Sequence, residues 1–162
     1  MKKMTTHGSN IILFSFIAAF ILSMLPLPQI LQSVRPEFVL IVLIYWCIAL
    51  PNRVGVGIGW IAGLVFDVSV DSLLGQHALT FALIAYLAIK LHQRIRVFPV
   101  WQQALTIFIF IMLQGTISLW INGMLGEAPP ISAFMLPAIS TALVWPLAYI
   151  LLRQIRRYYQ IN

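Results

Sequence analysis

Asp67 and Asp71 stand four residues apart at the end of an apolar stretch, Val54 to Gly75, in which Gly55, Gly59 and Gly63 keep the same four-residue step. On a helix such steps fall close to one face. Two carboxylates so placed could form an acid pair or bind a cation. An Asp at the edge of a hydrocarbon layer is costly and needs a physical reason. No second cluster of acids faces the pair in sequence, because Asp and Glu together number only 4. There is no Gly-rich phosphate loop, no His pair at metal spacing, and no Ser or Cys beside a plausible base. His7, His77 and His92 are scattered and read as interface residues rather than ligands. The chemistry on offer points away from an enzyme and requires neither cofactor nor metal. What remains is a smooth stripe of glycines ending in carboxylates. Small residues let a neighbouring helix backbone approach closely.

The elements that must position this stripe are membrane helices. The chain has 162 residues, is 61% hydrophobic and 9% charged, with a mean hydropathy of +0.96. A soluble domain carries roughly 25% charged residues. Long unbroken apolar runs, without the alternation of barrel strands, indicate helices. At about 20 residues per span there is room for six and for no separate soluble domain. The fold class is therefore an all-α polytopic membrane protein, a single integral membrane domain over residues 1–162. The lone Cys47 lies in a predicted span, which excludes an internal disulfide and reads as a small buried apolar group. The excess of basic over acidic residues, 10 against 4, is ordinary for cytoplasmic loops and needs no nucleic acid.

Taken in order, six helices are predicted at about 11–25, 36–50, 54–70, 74–91, 100–122 and 131–152. The basic start and first apolar run have the outline of a signal peptide. However, no small-residue cleavage site follows, and Pro26 and Pro28 end the run. In Arg35-Pro36-Glu37, Pro36 suits a first helical turn and Glu37 the positive end of a helix dipole. The second helix, of about fifteen residues, is short for a span and needs a thinned bilayer or shielding neighbours. Residues Lys90, His92, Arg94 and Arg96 read as a basic loop closed by Pro99. Gln114, Gly115 and Ser118 interrupt the apolar surface of the fifth helix, and Pro137 and Pro146 are expected to kink the sixth. With the N-terminus in the cytoplasm, Lys2, Lys3, Arg53, Lys90, Arg94, Arg96, Arg153, Arg156 and Arg157 all fall inside. Arg35 and the acids Glu37, Asp67, Asp71 and Glu127 fall outside, a strong positive-inside pattern with both termini cytoplasmic. Arg94, Arg96, Arg153, Arg156 and Arg157 read as anchors to anionic headgroups. Asp67 could cap or bond a neighbouring loop, or form an ion pair with Arg35, which shares the outer side.

The ordered set of motifs resembles a known family. Leu25-Pro26-Leu27-Pro28, Arg35-Pro36-Glu37, Tyr45-Trp46 and Ala49-Leu50-Pro51-Asn52-Arg53-Val54 come first. Gly57-Ile58-Gly59, Gly63 with Asp67, Leu74-Gly75, Trp101-Gln102-Gln103-Ala104-Leu105 and Trp145-Pro146 with the basic tail follow. Together they resemble the bacterial rod shape-determining proteins of the MreD family, in their Gram-negative form, over nearly the whole chain. Glu37 departs from the Asp or Asn associated with that motif but keeps or adds the charge.

The resemblance implies a non-enzymatic, multi-pass protein of the bacterial inner membrane. It would act in the cell-elongation complex, bound to MreC and through it to MreB, RodA and a class-B penicillin-binding transpeptidase, helping to position lateral peptidoglycan synthesis. It also implies a fold similar to the six-helix S components of energy-coupling-factor transporters. Packing or partner contact is expected at Arg35, Pro36, Glu37, Gly55, Gly59, Gly63, Asp67, Asp71 and Gly75. The rival reading is a small-molecule transporter subunit resembling an S component. It requires a polar cavity, for which Gln114, Asn122, His77 and Asp67 are the candidate linings.

Overall fold

Pro26 and Pro28 stop the first apolar run where the sequence leads one to expect. The computed structural model describes residues 5–127 and 129–161, with side chains from residue 8 onward. Lys2, Lys3 and the side chain of His7 fall outside the described residues. α1 spans Thr5–Met24, and a four-residue α2, Gln29–Gln32, follows the proline turn. Then come α3 (Phe38–Ala49), α4 (Val56–Ser69), α5 (Gln76–Val97), α6 (Val100–Met124) and α7 (Ser132–Tyr158). By length and composition α5, α6 and α7 can each cross a membrane, while Gly8–Met24, α3 and α4 are shorter apolar helices.

Several boundaries differ from expectation for identifiable reasons. Pro36 does not open α3: the Phe38 amide donates to the Pro36 carbonyl at 3.0 Å, with Glu37 at φ −79° and ψ 71°. That is an inverse γ-turn, so the helix begins at Phe38. The basic residues Lys90, His92, Arg94 and Arg96 are not in a loop. Nothing before Phe98-Pro99 breaks the helix, and α5 carries them to Val97. Arg94 and Arg96 then lie in its last turn, where the dipole favours positive charge. Helix α7 runs unbroken through Pro137 and Pro146 to Tyr158.

Three helices end alike. The amides of Ser72, Glu127 and Ile161 reach back to the carbonyls of Asp67, Asn122 and Arg156 at 3.1, 2.9 and 3.1 Å. Between donor and acceptor the chain passes through a left-handed residue: Asp71 (φ 53°), Gly126 (φ 82°) and Gln160 (φ 49°). This is the Schellman arrangement, which satisfies carbonyls a helix end would leave bare. At Asp71 it corrects the sequence reading. Helix α4 ends at Ser69, so Asp71 leaves the glycine stripe instead of extending it, and its side chain is exposed.

Helix α3 is the centre of the bundle. Every residue from Val39 to Ala49 is buried, and the helix packs against α1, α5 and α7. A helix apolar on all sides is expected to be enclosed on all sides. Its 12 residues reach only about 18 Å, so of the two ways to accommodate a short helix it has shielding neighbours. Trp46, fully buried, donates from Nε1 to Ser15 Oγ of α1 at 2.8 Å. Helix α4 lies along α5, α6 along α7, and α5 meets α6. Charge sorts to the two ends of this bundle. The ends of α3, α5 and α7 gather Arg96, Arg153 and Arg156, with Arg53 beside the start of α1. The opposite end gathers Glu37, Asp71 and Glu127.

Candidate functional site

The glycine stripe is spent on one neighbour. A Cβ on Gly59 would lie 2.9 Å from the Phe81 carbonyl oxygen and 3.0 Å from Ala85 Cβ. On Gly63 it would overlap backbone atoms of His77 and Ala78. Both glycines are therefore where α4 rests on α5, helped by the small Ala78 and Ala85. Gly55 and Gly75 meet nothing within 4 Å. Gly55 precedes α4 as an extended cap, and Gly75 precedes α5 in a left-handed turn at φ 102°. Of the predicted stripe, Gly59, Gly63 and Asp67 are buried together against α5. A further close approach went unassigned in the sequence: a Cβ on Gly115 of α6 would sit 2.6 Å from Phe134 Cβ of α7.

One turn beyond Gly63, Asp67 closes the same contact. Its side chain is buried, and both oxygens accept hydrogen bonds from the start of α5. Oδ1 accepts from the Ser72 hydroxyl at 2.8 Å, the His77 amide at 2.9 Å and His77 Nδ1 at 2.8 Å. Oδ2 accepts from the Gly75 amide at 2.8 Å and the Ala78 amide at 3.3 Å. Three of these donors are backbone N–H groups at the N-terminus of α5, which its own helix cannot satisfy and whose dipole favours a carboxylate. The His77 contact fixes a proton on Nδ1, since the carboxylate can only accept. His77 also packs its ring edge-on against Phe66 and Phe81 at 4.9 and 5.8 Å. The sequence reading missed this role for His77 and the one for Ser72. Five hydrogen-bond contacts thus occupy the two oxygens of Asp67.

The candidate Arg35–Asp67 pair is absent among the described residues, where the Asp67 ion pair is with His77. Arg35 instead donates from Nη1 and Nη2 to the carbonyls of Ser23 and Leu25 at the end of α1. Arg96, expected as a headgroup anchor, does the same for α3, donating from Nε to Ile48 O at 2.7 Å and from Nη2 to Ala49 O at 2.6 Å. Asp67, Arg35 and Arg96 therefore share one job: each supplies a full charge to a helix end of opposite partial charge. Glu37 binds through its backbone, whose N–H donates to Thr141 Oγ1 of α7 at 3.0 Å.

At the acidic end lies a cavity of about 380 Å³ between α3, α5, α6 and α7. Glu37, Asp71 and Glu127 line it with Gln76, Gln114, Asn122, His77 and Ser118. Three of the four residues proposed from sequence are there. Asp67 is not, because it is consumed behind the wall by the α5 terminus. Ser118 Oγ is buried there without a hydrogen-bond partner among the described residues. The lining is rich in acceptors and suits a donor-bearing group. At the basic end a second cavity, of about 400 Å³, is lined by Arg96, Arg153 and Arg156 with Tyr45, Tyr149 and Trp145. Arg94 and Arg157 are exposed and do not line it.

These motifs can be set beside known proteins. The family described as rod shape-determining protein MreD matches the chain over residues 4–155. The chain belongs to the MreD family. The Rod shape-determining protein MreD of Haemophilus influenzae is 32% identical over 146 residues, covering 90% of each chain. No solved structure matches. Several of the residues that carry the MreD resemblance lie at joints between helices. Gln103 is one: buried, it donates from Nε2 to Ile95 O and Phe98 O, both at 3.1 Å, and its Oε1 accepts from Trp145 Nε1 at 3.3 Å. One amide thus ties the end of α5 and the start of α6 to the middle of α7. In this MreD-family chain the Arg35, Asp67 and Gln103 side chains each hold the end of a helix.

Proposed function

We propose that this chain is a non-enzymatic scaffold subunit of the cell-elongation complex in the bacterial inner membrane. It crosses the membrane six times with both termini in the cytoplasm, so that the acidic end of the bundle faces the periplasm. It binds MreC directly. Through MreC it joins MreB, RodA and a class-B penicillin-binding transpeptidase, and helps to position lateral peptidoglycan synthesis. The observation that carries the reading is that Asp67, the buried carboxylate, is consumed in fixing a helix end. Hydrogen bonds occupy both of its oxygens, and the glycine face is closed by α5. What the bundle offers a partner is rigid shape and its lipid-level apolar faces, such as Leu143, Leu147 and Leu151 of α7. The reading is supported by membership of a family named for rod-shape determination.

The test is copurification with MreC followed by site-specific crosslinking from each helix in turn. Crosslinks confined to one lipid-facing surface are expected, with none from Gly59 or Gly63. Failure to recover MreC from cells that retain the protein in the membrane would overturn the reading.

The acidic-end cavity favours a second reading, a small-molecule-binding subunit similar to an S component of energy-coupling-factor transporters. Its size is within the range of ligand pockets. Native mass spectrometry of protein extracted from its own membrane decides it. A retained small molecule that is lost on Gln114→Leu would support this reading, and a mass of bare polypeptide would refute it.

A further inference from the structure

The cavity at the basic end is built for an anion that no residue of its own lining supplies. Arg153 and Arg156 come from the last turns of α7, and Arg96 from the last turn of α5. Among the described residues no acid lines the space, and the Asp and Glu side chains, 4 in all, lie elsewhere. Arg96 commits Nε and Nη2 to the carbonyls that end α3, leaving Nη1 without a hydrogen-bond partner among the described residues. Among the described residues, neither Arg153 nor Arg156 has a carboxylate partner. Two phenols share the cavity. The rings of Tyr45 and Tyr149 stand edge to face at 5.8 Å, and Trp145, fully buried, packs 6.0 Å from Tyr149 to form an apolar floor.

We propose that this cavity binds one phosphoryl group, with Arg153 and Arg156 as the charged donors, Nη1 of Arg96 as a third, and the Tyr45 and Tyr149 hydroxyls as neutral donors. The donor set decides the class of anion. Guanidinium forks match the oxygens of phosphate and carboxylate alike. However, two forks, the remaining Nη1 of Arg96 and two hydroxyls exceed what the two oxygens of a carboxylate can accept, and suit an anion with three or four oxygens. A volume of about 400 Å³ leaves room for a substituent on the phosphorus. The tryptophan and tyrosine walls suit an apolar or glycerol-like stem. The group is supplied either by an anionic phospholipid headgroup or by a free phosphate compound. This is a single saturable site, different from the diffuse attraction of surface arginines to a negative membrane.

The experiment uses the full chain reconstituted in vesicles of phosphatidylethanolamine and phosphatidylglycerol, then released into mild detergent for native mass spectrometry. One retained phosphatidylglycerol per chain is expected. The pair Arg153→Gln and Arg156→Gln lowers retention at least about tenfold. The pair Arg94→Gln and Arg157→Gln, with the same loss of charge outside the cavity, leaves retention unchanged. Tyr149→Phe, which keeps the ring and the charge, lowers retention several-fold at unaltered thermal stability. It therefore reports on the site even if the double arginine variant unfolds. A second arm titrates inorganic phosphate into lipid-free protein and follows tryptophan fluorescence, with Trp145→Phe to assign the signal. Retained lipid assigns the site to a headgroup. A phosphate response that requires Arg153 and Arg156, without retained lipid, assigns it to a soluble phosphate compound. Neither response, or equal losses in the two arginine pairs, overturns the proposal.

Discussion

A methyl group added to α4 reverses its effect within two turns of the helix. Gly57 and Gly63 lie on the same helix, and both gain when alanine replaces glycine, by up to about 1 kcal/mol of helix propensity. At Gly57 the new Cβ meets nothing within 4 Å, so Gly57→Ala stabilises by about that amount. At Gly63 it comes under 3.0 Å from Ala78 Cα, Ala78 N and the His77 carbonyl oxygen, a range that real Cβ atoms essentially never enter. Those are backbone atoms of α5 and cannot rotate away, so the two helices must part. Overpacking of this kind costs about 1–3 kcal/mol. Parting also stretches the Asp67 Oδ2 bond to the Ala78 amide, already 3.3 Å, a loss of about 1 kcal/mol. The propensity gain cancels between the variants, so Gly63→Ala falls roughly 2–4 kcal/mol below Gly57→Ala. Denaturant titration in detergent micelles, followed by far-ultraviolet circular dichroism, measures the gap. If Gly63→Ala unfolds at the same or higher denaturant concentration than Gly57→Ala, close backbone contact is not what this glycine provides.

Other perturbations separate the contributions of the joints. Asp67→Asn keeps the shape but turns an amide NH₂ toward backbone donors, and it should destabilise by about 2–4 kcal/mol; Ser72→Ala, which removes one of five donors, should cost about 1 kcal/mol in the same titration. Gly75→Ala has open space around it but demands a left-handed residue, so it should cost about 1–2 kcal/mol by backbone strain alone, with Gly75→Asn milder. Gln103→Leu strips two carbonyls and the Trp145 indole of their partner, and a loss of about 2–3 kcal/mol is expected. A shift in indole emission should accompany it.

Much of the architecture is legible because membrane helices announce themselves by apolar length. The prolines at 26, 28, 51 and 99 punctuate the runs where the structure ends or begins its helices. The four-residue glycine step is visible in the sequence, and Gly59 and Gly63 lie where α4 rests on α5. It could not say where the stripe stopped, since a Schellman turn through a non-glycine residue leaves little trace: Asp71 looks like the next position on a face that has already ended. The site was harder to read. Asp67 was singled out, but its partners lie across a turn in the first residues of α5 and are mostly backbone amides, which carry no side-chain signature. Arg35 was given to Asp67 by counting charges on one side of the membrane. Carbonyls at the end of α1 are nearer partners, and such partners do not show up in a count of charges. The basic cavity was invisible for a related reason. Its arginines come from two helices, and only the fold brings Arg96 beside Arg153 and Arg156.

Enclosure of α3 sets a problem of order in time. This helix is made early, yet two of the three helices that cover it, α5 and α7, follow it in the chain. Until they arrive, this helix of about 18 Å lacks two of the neighbours that enclose it in the finished bundle. The central element of the finished bundle is thus dependent on its successors. A chain interrupted before α7 leaves α3 uncovered on one side and Glu37 without the Thr141 hydroxyl that receives its amide. A truncated product would therefore leave its central helix exposed, and the packing of α3 is complete only when α7 closes over it.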